Sequence, residues 1–290
     1  MEVSREEPAA PGPAKTRAGR QMDLVQGSIG KSLIAFTLPV LGANLLQSLN
    51  GTANAAWVSH ILGPAALTAT ANANNILFLL LGAVFGLAMA ANLLIAQAVG
   101  AGAADQVKRV AGSSTLFFAV ISVGVGVTGF LATPAILDAM GTPPDARADA
   151  ITYLRVIFAA MPFMYFFSFV MMAMRGAGDS RTPFYFSLCA VGLDIILNPV
   201  LIMGLGPAPQ LGIAGSAAAT LISQTLTLAG MITYLYRSGS VLVLRRGEWG
   251  MLRPDPAILR TLVVKGLPMA MHMLVVSGAA LVMLTFVNTY

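Results

Sequence analysis

Leu193–Gly204 reads LDIILNPVLIMG. It lies inside an apolar run from Pro183 to Met203, 21 residues, about the length a helix needs to cross a bilayer. A carboxylate at the depth of Asp194 costs roughly 2.5–3.5 kcal/mol or more, so such a group turns inward and marks an ion or proton path. Asp194 and Asn198 are four residues apart and project from one helical face. Pro199 removes a backbone donor and frees the carbonyl one turn back, at Ile195. The plainer reading is a buried polar pair that fixes helix packing.

Composition agrees with a membrane span. The chain is 57% hydrophobic and 10% charged, with a mean hydropathy of +0.78, where a soluble domain carries about 25% charged residues. These values exclude an ordinary soluble globule and place the chain among all-α integral membrane proteins. The sequence pI of 9.7 does not point to nucleic acid, because the basic residues form no patch interleaved with aromatics. The single cysteine, Cys189, sits in an apolar run and forms no intrachain disulfide.

Seven apolar segments are expected to span, at about 33–58, 66–98, 110–137, 150–174, 183–203, 213–236 and 261–290. Residues 1–30 read as a disordered tail, rich in Pro, Ala, Gly and charge, with no secretory core. With the N-terminus inside, 15 of the 17 basic residues fall on the cytoplasmic side, and only Arg147 and Arg155 lie near the outer side. By the positive-inside rule the N-terminus is expected in the cytoplasm.

The first span carries Asn44, Gln47, Asn50 and Asn54 at steps of three, three and four. A polar stripe at helical period avoids lipid and faces neighbouring helices or a wet cavity. Pro39, near the start of that span, is an expected hinge, as is Pro199 in the fifth. Gly82 and Gly86 have the spacing of close helix packing. Gly124, Gly126 and Gly129 form a GxGxxG that follows no strand, so a nucleotide site is not expected. Asn50-Gly51-Thr52 fits a glycosylation acceptor but lies within a span. Asp138, Asp145 and Asp149 with Arg147 read as a solvated face, and His60 as a structural interfacial residue.

A repeat completes the organisation. Aligning Pro39 with Pro268 pairs Leu33 with Leu262, Leu38 with Leu267, Leu45 with Leu274 and Ser48 with Ser277. Such internal symmetry marks transporters built from two halves, and the offset predicts roughly 490 residues for a doubled chain. Residues 31–237 would then form a first six-helix lobe, 238–260 an interlobe loop, and 261–290 the first helix of an incomplete second lobe. No paired intramembrane Asp, metal-spaced His cluster or activated nucleophile argues for an enzyme, and no catalytic residue is assigned.

In these residues the chain resembles the multidrug and toxic compound extrusion (MATE) transporters, within the larger group that includes lipid-linked oligosaccharide flippases. The carriers are the Leu38-Pro39 of span one with Asn54-Ala-Ala-Trp57-Val58, and the segment from Ala96 to Gly102. They continue with the turn RGAGDSRTP at 175–183, the Asp194-x-x-x-Asn198-Pro199 motif, and Gly212-Ile-Ala-Gly215 through Thr220.

The resemblance implies twelve helices in two lobes, exporting drugs and organic cations in exchange for H+ or Na+, with no other cofactor. It implies cation coupling at Asp194, Asn198 and Asn54; the proton is favoured, because one carboxylate with amides gives Na+ a thin oxygen shell, and Na+ at Asp194 and Asn198 is the alternative, with no metal otherwise assigned. Asn50 and Thr220 align with polar cavity residues of the family, Asn44 and Gln47 are cavity-lining candidates through the stripe alone, and the partners are small drugs and membrane lipid. Family members often have Asp where this chain has Asn54, and Asn then Asp where it has Asp194 and Asn198. A single carboxylate is left, one turn or about 6 Å nearer the start of span five. Two further readings stay open: a flippase for a lipid-linked precursor, and a membrane protein that works only with a partner chain.

Overall fold

The computed structural model describes residues 29–139, 144–205, 209–243 and 254–289. Seven helices follow one another: α1 Ile29–Leu62, α2 Pro64–Gly100, α3 Ala104–Ala139, α4 Pro144–Gly176, α5 Arg181–Met203, α6 Ile213–Ser238 and α7 Pro256–Thr289. Each contains a stretch long and apolar enough to cross a membrane, and no strand occurs among the described residues. That is the expected outcome for lipid-embedded backbone, where a helix satisfies its own N–H and C=O groups.

The helices reach past the apolar segments, and at α7 the extension has a local cause. Asp255 and Pro256 begin α7 five residues before the expected span. The Asp255 carboxylate accepts the Ala257 N–H at 2.9 Å, and proline suits the first helical turn. The Asp255 amide in turn donates to Ser113 Oγ at 3.3 Å, tying the start of α7 to α3. Ile29 and Gly30, placed with the tail by composition, begin α1; residues 1–28 lie outside the described residues. The expected interlobe loop is likewise described only at its edges, since 244–253 lie outside. Gly204 and Gly239 take left-handed conformations, φ 69 and 65°, and close α5 and α6.

α4 is the buried centre. It packs on α3, α2 and α6, while α5 bridges α6 and α1, and α7 lies along α2. Glycine sets two of these contacts. A Cβ on Gly86 would run into the Ala270 backbone of α7, so of the pair expected to pack helices Gly86 makes a close approach. Gly126 and Gly129 of the GxGxxG face Phe158 and Pro162 on α4, which gives those two glycines a packing role. The turns α2–α3 and α4–α5 share one end of the bundle, which carries Lys108, Arg109, Arg175 and Arg181 and is called the basic end below.

α5 and α6 run antiparallel in a fixed register. Gly215 faces the Leu201 carbonyl, with room for no Cβ (2.5 Å), and Gly230 faces Phe186. This register sets which polar residues of the two helices meet.

Candidate functional site

Asp194 lies in the middle of α5, 2% exposed, with Asn198 fully buried one turn on. The Asp194 carboxylate accepts from side chains of two other helices, α1 and α6. Asn54 Nδ2 of α1 donates to Oδ2 at 3.0 Å. On α6, Thr220 Oγ1 donates to Oδ1 at 3.1 Å and Ser223 Oγ reaches the same oxygen at 3.4 Å. Asn50, one turn before Asn54, is a further side-chain neighbour, and Tyr153 of α4 is close enough to feel the charge. Asn198 closes the ring. Its Nδ2 donates to Asn54 Oδ1 at 2.6 Å and to the Asp194 carbonyl at 3.0 Å.

The helices place these groups by simple periodicity. Asp194 and Asn198 share a face by their four-residue spacing. Antiparallel packing of α5 on α6 in the register fixed by Gly215 and Gly230 brings Thr220 and Ser223 to the level of Asp194. Pro199 sits inside α5 directly after Asn198, and Pro39 inside α1.

The ring is short of donors. Asn50 Oδ1 and Asn198 Oδ1 are buried and accept no hydrogen bond, beside a carboxylate that already carries negative charge. A buried acceptor without a donor loses its full desolvation energy, about 1–3 kcal/mol. Two such oxygens in the ring with the carboxylate leave it rich in acceptors and short of donors, an imbalance that a proton or an oxygen-held cation would relieve. Both are chemically suited. A protonated Asp194 gains an O–H that an unpartnered amide oxygen can accept. The carboxylate, two amide oxygens and two hydroxyls together provide an oxygen shell of the kind hard cations take.

Of the sequence-predicted residues, Asn54, Asn198 and Thr220 come together at Asp194, with Asn50 beside them. Asn44 and Gln47 do not join them; both are exposed on α1, toward the basic end. Ser223 and Tyr153 complete the surroundings without having been singled out in the sequence. Ser223 had a signal: Ser216, Thr220, Ser223 and Thr227 follow one another at four, three and four residues. Among the described residues no group of three or more His, Cys, Asp or Glu could hold a metal ion.

The result is a single buried carboxylate held by amide and hydroxyl side chains of α1 and α6 inside a bundle of membrane-length helices. Comparison with known proteins gives the family: the chain belongs to the MatE family, whose profile matches residues 39–200. Among its curated relatives, the probable multidrug resistance protein YoeA of Bacillus subtilis is 34% identical over 91% of this chain and 57% of its own length. The probable multidrug resistance protein YpnP of the same organism is 29% identical over 92% of this chain and 58% of its own length. Among solved structures, a MOP superfamily transporter from Pyrococcus furiosus superposes with a TM-score of 0.79 at 25% identity, covering 88% of this chain and 55% of that one. The chain thus spans about half the length of the curated relatives it matches.

Proposed function

We propose that this chain contributes the cation-coupling lobe of a multidrug efflux antiporter, exporting organic cations in exchange for protons bound at Asp194. The observation that carries the reading is the donor shortage around Asp194: one carboxylate and two buried amide oxygens without donors. α1–α6 form the first lobe, with α7 opening the second. The N-terminus lies in the cytoplasm and the protein in the inner membrane.

When Asp194 is ionised, Asn54 holds α1 against α5 by a charge-assisted bond, reinforced by Asn198 on Asn54. Protonation turns one carboxyl oxygen into a donor. The proton satisfies an unpartnered amide oxygen and weakens the grip on Asn54. α1 is then free to bend at Pro39 and alter the exposed face that carries Asn44 and Gln47, the wall an organic cation meets. A lipophilic cation and a proton compete for the same negative charge, which makes exchange obligatory.

The test is export by the native full-length protein in proteoliposomes, with ethidium as the cation. With a pH gradient imposed, the wild-type protein drives ethidium transport and Asp194→Asn does not. If Asp194→Asn still exchanges ethidium for protons at the wild-type rate, the reading is wrong. If a sodium gradient drives transport in place of the pH gradient and Asp194→Asn abolishes it, the site stands and the coupling ion is Na+.

A further inference from the structure

A second set of buried hydroxyls leads away from Asp194 inside the lobe, and the exchange mechanism above does not use it. On α5 and the turn before it, Ser180, Ser187 and Asp194 are spaced by seven residues and so share one face. All three are buried. On α6, Ser216, Thr220, Ser223 and Thr227 form the facing stripe, and the register set by Gly215 and Gly230 places Thr227 between the levels of Asp194 and Ser187.

Ser223 is partnered, donating to the Thr220 carbonyl at 3.1 Å beside Asp194, but the hydroxyls beyond it lack an oxygen partner. Thr225 and Thr233 on the same helix donate to the carbonyls four residues back, each at 2.7 Å. Thr227 is 3% exposed, yet its Oγ1 makes no such bond and has no other partner. The neighbouring Gln224 Oε1 is also buried without a donor. Ser187 Oγ reaches only the sulfur of Met171, at 3.6 Å. Ser180, at the α4–α5 turn, is 1% exposed and its hydroxyl has no partner. Buried polar atoms are nearly always satisfied, and where protein offers nothing the usual partner is ordered water. Seven residues of helix are about 10 Å, too far for one hydroxyl to reach the next, and Pro183, Ala190 and Val191 are buried between them, so a continuous file requires water beside those side chains.

We propose that Ser223, Thr227, Ser187 and Ser180 line an internal water file that carries protons between Asp194 and the basic end of the bundle, separately from the α1 side of the site. In each passage the Asp194 carboxyl gives its proton to the first water, every hydroxyl accepts one proton and donates another, and a proton leaves beside Ser180. The titratable and charged groups at the file are Asp194 and, from α4, Tyr153; Arg175, Asp179 and Arg181 flank Ser180 at its far end. The two routes give alternating access a division of labour. Substrate and α1 motion serve one face of Asp194, and the hydroxyl file serves the other.

This inference rests on Asp194 being the coupling acid, and the experiment separates the two. Time-resolved infrared spectroscopy on the native full-length protein in liposomes, after a pH jump on the basic-end side, follows the C=O band of the protonated carboxyl. Asp194→Asn removes the band. Thr227→Val slows its appearance by roughly tenfold, below what a single positioned proton-transfer group commonly contributes, and leaves its final amplitude unchanged. Thr227→Ser restores the wild-type rate, and Ser187→Ala slows it independently of Thr227. A band that survives Asp194→Asn overturns the coupling assignment. A band lost in Asp194→Asn but rising at the wild-type rate in both Thr227→Val and Ser187→Ala overturns the file alone.

Discussion

Asp194→Asn is predicted to separate coupling from stability. The carboxylate accepts side-chain hydrogen bonds from Asn54, Thr220 and Ser223. Bonds to a charged acceptor contribute about 1.5–3 kcal/mol and neutral ones about 0.5–1.5. Turning three of them neutral therefore costs on the order of 3 kcal/mol. The same substitution removes a charge from the membrane interior, which recovers roughly 2.5–3.5 kcal/mol. The amide can also orient without conflict: its oxygen faces the Asn54 donor, and its NH2 faces two hydroxyls that rotate to accept. The two contributions nearly cancel. Thermal unfolding of the detergent-solubilised native protein should therefore change by no more than about 1 kcal/mol, while proton-driven ethidium export is lost. A variant that unfolds several kcal/mol more easily yet still couples export to protons would refute the reasoning. Asp194 would then be a packing residue.

Four further outcomes follow from the geometry. Thr220→Val leaves an Asp194 oxygen with one fewer donor and should cost about 1–3 kcal/mol in thermal stability when the site is ionised, with a smaller loss in acid; scanning calorimetry at two pH values reads both. Gly86→Val forces a side chain into the Ala270 backbone and should destabilise the α2–α7 contact by about 1–3 kcal/mol or more, seen as faster amide exchange in α7. Arg147→Ala breaks the bidentate pair with Asp138 (2.7 Å), a solvent-exposed bridge worth under about 1 kcal/mol, and should leave export unchanged. Pro39→Ala restores a helical hydrogen bond in α1 and should slow export turnover while leaving the infrared signature of Asp194 protonation in place.

Much of this molecule was legible in its sequence because lipid leaves the backbone few choices. Seven apolar runs became seven helices, and only their ends moved. Asp255-Pro256 looked like loop to a hydropathy reading, but an Asp cap before proline is where a helix starts. The polar stripe of α1 was half informative. Asn44 lies about 80° round α1 from Asn54, whereas Gln47 shares Asn54's face but sits about 10 Å nearer the basic end, exposed and below the level of Asp194. Asp194, Asn198 and Asn54 were found by depth and spacing. Ser223 was hidden because serine and threonine in membrane helices commonly bond their own backbone, as Thr225 and Thr233 do here. Ser223 does so too, at 3.1 Å to the Thr220 carbonyl, and only the α5–α6 register shows that it also comes within 3.4 Å of Asp194. Tyr153 comes from α4, and no local pattern ties it to Asp194.

The central claim is that Asp194 exchanges a proton for the transported cation. The most direct measurement is proton release on ethidium binding, by calorimetry of the native full-length protein in buffers of different ionisation enthalpy. The wild-type protein should release protons as the cation binds, and Asp194→Asn should bind without releasing any. Undiminished proton release from Asp194→Asn would contradict it.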